Sequence, residues 1–406
     1  MADARGVDKF IIILLLSALA AGKVIYSQTN LRLTQTIAYD QNIFRNYLQA
    51  DDWIHQSTLL FEHKLIINPL AFRFNYSGSL QLFQNYTDRH LHIHQLLGEV
   101  NWPLAKSLDL NSGLNFGWFK NRETYKIYDF NSLSFFSQLV INFRQNLPFE
   151  IGYQIENQNY PALTQFSYLE HVGLMRLKYF LPSKTTFIGE LNFNSKNYKN
   201  APELDELEFE HPGRGNRYGQ SRGNGGNKWV IDSDSIMTAS NLSVTNSTQW
   251  RLSLRLAQSI GPQTGLSVVY TRQFEPSNAA RYLKEQIYSF SLNNSLYDDP
   301  FTYESTGYQI QISRLLPAGS SLKVYYDFVD KNYAYPTTGP LIIKNNNRHD
   351  TQESIHLDYR IPLFRMRLKN RMNLDFMYEY RVNVSNDDYF NYRGFVVEMG
   401  INFIFK

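Results

Sequence analysis

Apolar and polar positions alternate along nearly the whole chain. Phe72, Phe74, Tyr76, Gly78, Leu80 and Leu82 interleave with Arg73, Asn75, Ser77, Ser79 and Gln81. Leu108, Leu110, Leu114, Phe116 and Trp118 interleave with Asp109, Asn111, Gly113, Asn115 and Gly117. The same holds for Phe149, Ile151, Tyr153 and Ile155 against Glu150, Gly152, Gln154 and Glu156, and for Trp250, Leu252, Leu254 and Leu256 against Arg251, Ser253 and Arg255. Neighbouring side chains on a strand point to opposite faces, so period two predicts strands with one oily and one polar face. The runs reach about ten residues, whereas strands of soluble sheets commonly have about five or six. A tilted strand of about nine to eleven residues crosses a bilayer.

Proline orders these runs. Pro69, Pro103, Pro148, Pro182, Pro262, Pro317 and Pro362 fall in short connections. Pro161, Pro202, Pro212, Pro276, Pro300, Pro336 and Pro340 fall in longer polar stretches. Proline cannot donate to a strand ladder and marks where pairing stops. Tight turns therefore alternate with long loops. The predicted strands are 30–39, 53–67, 71–84, 93–102, 108–120, 132–144, 149–158, 168–180, 185–196, 242–258, 265–275, 302–314, 321–332, 352–361, 367–382 and 393–405. The predicted fold is all-β, a transmembrane antiparallel up-and-down barrel of about sixteen strands. Fourteen and eighteen are the alternatives, and the stretch 276–301 is the weak region. An even number puts both termini on the tight-turn side, which in outer-membrane barrels is periplasmic.

The last strand carries a further signal. Phe395, Val397, Met399, Ile401, Phe403 and Phe405 form its oily face, and Glu398, Gly400 and Asn402 lie opposite. Glu398-x-Gly400-x-x-Phe403-x-Phe405 resembles the C-terminal insertion signal of bacterial outer-membrane β-barrels of the porin-like superfamily. One Lys follows the final aromatic, where the family pattern ends. The resemblance implies an outer-membrane location and recognition by the β-barrel assembly machinery.

At the other end, about twelve apolar residues follow Arg5 and Lys9, beginning Phe10-Ile-Ile-Ile-Leu-Leu-Leu16. That is the length of a signal-peptide core and too short for a spanning helix. We expect residues 1–27 to be a cleaved signal peptide and 28–406 a single barrel domain. The 406-residue chain has no Cys, which excludes a disulfide scaffold, thiol catalysis and a lipobox. A formal charge of +3 gives no reason to expect nucleic acid. With 28 Tyr and 28 Phe, the composition suits a wall that is oily on one side.

Charge falls on the polar faces. Glu190, Arg251, Arg255, Lys323, Asp327, His356, Asp358, Arg360, Lys369, Arg371, Asp375, Glu379 and Arg381 are candidate pore-lining residues. A charge facing lipid at mid-bilayer costs about 2–4 kcal/mol, so these groups belong in a wet interior. Trp53, Trp102 and Trp118 lie near strand ends and are candidate interface aromatics. The long segment 197–241 holds Glu203, Asp205, Glu206, Glu208 and Glu210 followed by a Gly/Asn/Arg-rich run. It is expected as a solvated external loop. A constriction folded into the lumen, or a divalent-cation bridge to lipopolysaccharide, is the alternative.

His90, His92 and His94 are weak metal candidates, because alternate strand side chains lie about 7 Å apart, too far to share one ion without a bend. No G-x-S-x-G or H-E-x-x-H is present, so no catalytic residue is assigned and no cofactor is expected. These features point to a passive or weakly selective channel for small hydrophilic solutes. A non-conducting scaffold or adhesion barrel is the alternative, and a barrel enzyme stands behind both.

Overall fold

The computed structural model describes residues 24–47, 49–199, 246–274, 300–336, 347–365 and 370–405. Its strands are β1 (Val24–Asp40), β2 (Asp52–Ile67), β3 (Leu70–Phe83), β4 (Leu91–Ala105), β5 (Leu108–Asn121), β6 (Phe130–Arg144), β7 (Leu147–Asn159) and β8 (Tyr168–Phe180). They continue as β9 (Thr185–Tyr198), β10 (Asn246–Ser259), β11 (Thr264–Phe274), β12 (Tyr303–Leu315), β13 (Ser321–Pro336), β14 (Asn347–Arg365), β15 (Arg371–Ser385) and β16 (Tyr392–Phe405). Each pairs antiparallel with its sequence neighbours, and β16 returns to β1, so the described strands form one closed sixteen-stranded barrel.

Closure runs from Leu31 opposite Phe405 to Asp40 opposite Val396. Gly400 faces Thr36 across this seam, and a Cβ there would meet Thr36 Cγ2 at 2.6 Å. The glycine of the insertion-signal pattern thus leaves room for the Thr36 side chain where the first and last strands pair. A barrel needs this contact because it leaves no free edge.

The turns divide by length. Residues 68–69, 106–107 and 145–146 connect strands at one end, where both the start of β1 and the end of β16 also lie. Residues 41–51, 84–90, 122–129 and 160–167 connect them at the other. Val24, Tyr26 and Ser27 pair with Ile67, Ile66 and Leu65, so β1 starts six residues before the predicted strand.

The structure corrects the placement of several prolines. Pro103, Pro148 and Pro362 lie inside β4, β7 and β14 rather than in the turns, and Pro336 ends β13. Each sits at a register shift: Pro103/Ala105, Pro362/Phe364, Asn332/Pro336, and Asn142/Arg144 opposite Pro148. A bulge leaves a residue unpaired, which accommodates the missing N–H without ending the strand.

One face of the wall is apolar and exposed, as at Met175 (50%), Leu256 (50%) and Met399 (53%). The opposite face is mostly polar, and in a closed barrel it is the lumen. At the long-loop end the lumen face turns apolar. Leu91, Ile93, Phe119, Phe130, Tyr168 and Tyr198 are buried there beneath Tyr128, Tyr160, Leu163 and Phe166, which come from or border the loops. A second cluster packs Ile43 of the β1–β2 loop on Ala38, Ile54, Phe83 and Val396. The connecting loops therefore fold inward.

Candidate functional site: the barrel lumen

Inward charges gather in two sectors. In the first, β7, β8 and β9 contribute Glu150, Arg176, Lys178 and Glu190. Arg176 Nε donates to Glu190 Oε2 at 2.7 Å, and its Nη1 donates to Glu150 Oε2 at 2.8 Å. Lys178 pairs with the other Glu150 oxygen, and Gln138 Nε2 donates to the same carboxylate at 2.8 Å. Four groups thereby converge on two carboxylates, once Asn192 Nδ2 on Glu190 at 2.8 Å is included. Glu150 is buried against the wall. Beside this sector, Arg251 and Arg255 share the inward face of β10 with Ser253, which pairs with Glu190. Among the described residues neither arginine makes a hydrogen bond or ion pair.

The second sector spans β13–β16. The His356 ring stacks on Tyr325 at 4.4 Å between centroids and 11° between planes. Its Nε2 lies 3.6 Å from Asp327 and its Nδ1 3.7 Å from Glu379, which also pairs with Arg381. Arg360 Nε donates to Asp375 Oδ1 at 2.6 Å. Asn402 bonds both Asp375 and Thr34, carrying the network across the closing seam. The strand register puts Lys323, Asp358 and Arg371 on this inward face as well. Lys369 lies outside the described residues. The sectors share one chemistry: inward ions held against opposite charges, most of them on adjacent strands.

Above them, four cations sit on aromatic rings at the mouth. Arg89 lies 4.9 Å from the Phe44 centroid and 5.1 Å from that of Phe83. Lys196 Nζ lies 4.4 Å from Tyr168 and 4.7 Å from Phe301. Lys331 Nζ lies 4.7 Å from Tyr303, and Arg348 stacks 4.1 Å from Tyr333. Cation–π attraction of this kind strengthens as the pair is desolvated. Asp52 anchors the same end. Its carboxylate accepts from the backbone N–H of Trp53, Gln84, Asn85 and Tyr86 at 2.7–3.1 Å. Burial pushes the Tyr125 hydroxyl up, and burial with nearby Asp52 does the same for Tyr86.

The three histidines do not converge. His90, in the loop before β4, accepts from the Phe83 N–H at 3.2 Å through Nδ1, and burial holds its pKa below the ordinary value. His92 and His94 share the outward face of β4, with His94 Nδ1 2.9 Å from the Tyr76 hydroxyl. Among the described residues no His, Asp or Glu cluster has metal-binding geometry. Trp53 and Trp102 are exposed on the outer wall, near the long-loop and short-turn ends respectively. Trp118 packs edge-on against Phe116 and His94. In β16, Glu398 and Gly400 face inward, and Phe403 and Phe405 face outward. Segment 200–241 and the weak stretch 276–299 lie outside the described residues.

Strand periodicity marks faces but names no partners, which is why Glu150, Arg176 and Lys178 were not singled out in the sequence. Polar residues at even positions of β7 and β8 were the available signal. The cation–aromatic mouth carries no sequence periodicity.

Neither a family model nor a curated protein matches the chain. Solved structures do. Pseudomonas aeruginosa OpdK with vanillate aligns at a TM-score of 0.50 and 10% identity, covering 93% of this chain and 98% of that one. P. aeruginosa OccK2 (OpdF) in complex with glucuronate gives 0.49 and 8%, covering 95% and 99%. The P. aeruginosa outer membrane protein OprD gives 0.48 and 10%, covering 95% of each chain. Closed sixteen-strand topology and the overlap with OpdK together show that this chain has the fold of that structure, a single closed sixteen-stranded antiparallel barrel.

Proposed function

We propose that the protein is a passive or weakly selective outer-membrane channel for small hydrophilic solutes. The observation that carries this reading is the inner wall: charged and amide side chains line a closed sixteen-stranded barrel whose outer wall is an apolar belt. Barrels of this strand number leave an aqueous channel in porins. In this reading the long loops are external and the termini periplasmic. The N-terminal apolar run beginning at Phe10 acts as the core of the export signal, with its cleavage site ahead of the paired part of β1, and β16 is read by the assembly machinery. Lipopolysaccharide surrounds the external rim. The similar OpdK structure was solved with vanillate, a small solute, which supports this reading.

A second reading, a non-conducting scaffold, draws on the mouth, where loop aromatics pack against the inner wall. Reconstitution separates the two. Folded, heat-modifiable protein in liposomes is expected to allow swelling in sugars and amino acids, more slowly as the solute grows. No swelling from such a sample would overturn the channel and leave the scaffold.

A further inference from the structure

Among the described residues, the outer rim at the short-turn end carries charge of one sign. Lys106, Arg144 and Lys184 are exposed there, on the β4–β5, β6–β7 and β8–β9 hairpins. Arg314, next to the β12–β13 turn, is exposed as well. None of these four side chains makes a hydrogen bond or ion pair with a described residue. Asp109, Glu150 and Glu190 follow Lys106, Arg144 and Lys184 in the chain, but all three lie in one inward row, Asp109–Val140–Glu150–Arg176–Glu190. The outer rim therefore keeps its cations without compensating carboxylates. The opposite rim mixes signs, with Asp51 and Asp388 exposed there as well as Arg122 and Lys126.

Each cation stands just beyond exposed apolar side chains. Trp102 and Leu104 precede Lys106, Phe143 precedes Arg144, Phe180 and Leu181 precede Lys184, and Ile312 precedes Arg314. The headgroup layer of a bilayer is roughly 5–7 Å deep on each side. Two strand residues span about 7 Å, and Lys and Arg extend their charge past the apolar surface that their stems cover. The cations therefore stand at headgroup depth, where the apolar belt ends. Backbone hydrogen bonds tie the turns into one rim. Asn142 N–H donates to the Ser107 carbonyl at 2.8 Å, and Phe180 N–H donates to the Asn146 carbonyl at 2.9 Å. Hairpin turns recur every second strand, about 10 Å apart, so Lys106, Arg144 and Lys184 form an arc of evenly spaced cations. Residues 106–107, 145–146 and 181–184 make turns too short to project far beyond the membrane surface. Spread charge at this depth fits the small anionic heads of several lipids better than one folded acidic protein.

We infer that this arc binds anionic phospholipid heads of the phosphatidylglycerol class, in the leaflet that surrounds the short turns. The inference rests on the outer-membrane reading above, which makes that leaflet the periplasmic one. Lysine and arginine meet the phosphate by charge, while the exposed aromatic and leucine side chains meet the start of the acyl chains.

Native mass spectrometry of the folded barrel in detergent, titrated with equal phosphatidylglycerol and phosphatidylethanolamine, tests it. Wild type is expected to retain phosphatidylglycerol in preference. Lys106→Gln, Arg144→Gln and Lys184→Gln combined should weaken that preference by about fivefold for each charge removed, the effect of one basic residue at an anionic membrane surface. Lys106→Arg, Arg144→Lys and Lys184→Arg combined keep the charge and should keep the preference. Equal retention of the two lipids by wild type would overturn the site and leave the cations to a soluble acidic partner. An unchanged preference in the glutamine variant would overturn it by placing the selecting group elsewhere. Loss in both variants would overturn it as well, since charge would not be what is read. Heat-modifiable mobility of each variant reports folding. Swelling by wild type reports the channel separately, so either idea can fail alone.

Discussion

Glu150 holds two cations at once, and no stretch of local sequence announces it. Arg176 is 26 residues away and Lys178 is 28. The alternation of β7 states that Glu150 is inward; only strand register decides which side chains meet it. Glu190 was a candidate from its polar face, and its partner Arg176 was invisible for the same reason. Removing the charge of Glu150 leaves Arg176 with one carboxylate and Lys178 with none. We expect Glu150→Gln to shift the reversal potential toward anions in planar bilayers, because two lumen cations lose a neutralising partner. It should also lower stability by about 1–3 kcal/mol, the range for an unmade buried polar contact. Reversal potential and the heat-modifiability midpoint measure the two effects. An unchanged reversal potential would place the cluster outside the conducting path.

At the level of elements, the strands were legible and the loops were not. A strand repeats its pattern for ten residues or more, so one misread position does not hide it. The segments Glu123–Tyr128 and Thr164–Phe166 are 3₁₀ stretches of six and three residues, too short for a period to show. They pack on a stack of strand-end aromatics: Phe119 and Phe130 lie 4.0 Å apart between centroids at 14°, and Phe130 meets Tyr160 at 5.2 Å. Phe166 is 2% exposed. Tyr128→Ala with Phe166→Ala should therefore release the loop plug without opening the barrel. Each truncation of a buried aromatic costs about 3–5 kcal/mol, borne here by loop docking rather than by the strand ladder. The expected outcome is a larger single-channel conductance with unchanged strand content by circular dichroism. Unchanged conductance would mean that these loops do not set the narrowest passage. The same logic explains the prolines. Pro103 and Pro362 were read as turn residues because they stop pairing locally, yet a one-residue bulge absorbs each inside its strand.

At the scale of the whole molecule, strand order followed from sequence because every strand pairs with its neighbours in the chain; only the β1–β16 seam is remote. Which face looks inward followed from the cost of placing charge in lipid, and that assignment is testable at two adjacent residues. Ser253 and Leu254 stand side by side near the middle of β10. Ser253 pairs with Glu190 and faces the lumen; Leu254 pairs with Gly189 and faces out. An arginine at position 254 would sit against hydrocarbon near the bilayer midplane, at about 2–4 kcal/mol. An arginine at 253 would join Arg251 and Arg255 in water. Leu254→Arg is expected to lower the folded, heat-modifiable fraction. Ser253→Arg should fold like wild type and increase anion preference, since it adds a cation to a wall sector where Arg251 and Arg255 make no ion pair among the described residues. If Leu254→Arg folds freely while Ser253→Arg does not, the faces are inverted and every lumen assignment fails with them. Equal tolerance of both would show that β10 does not contact the hydrocarbon at this depth.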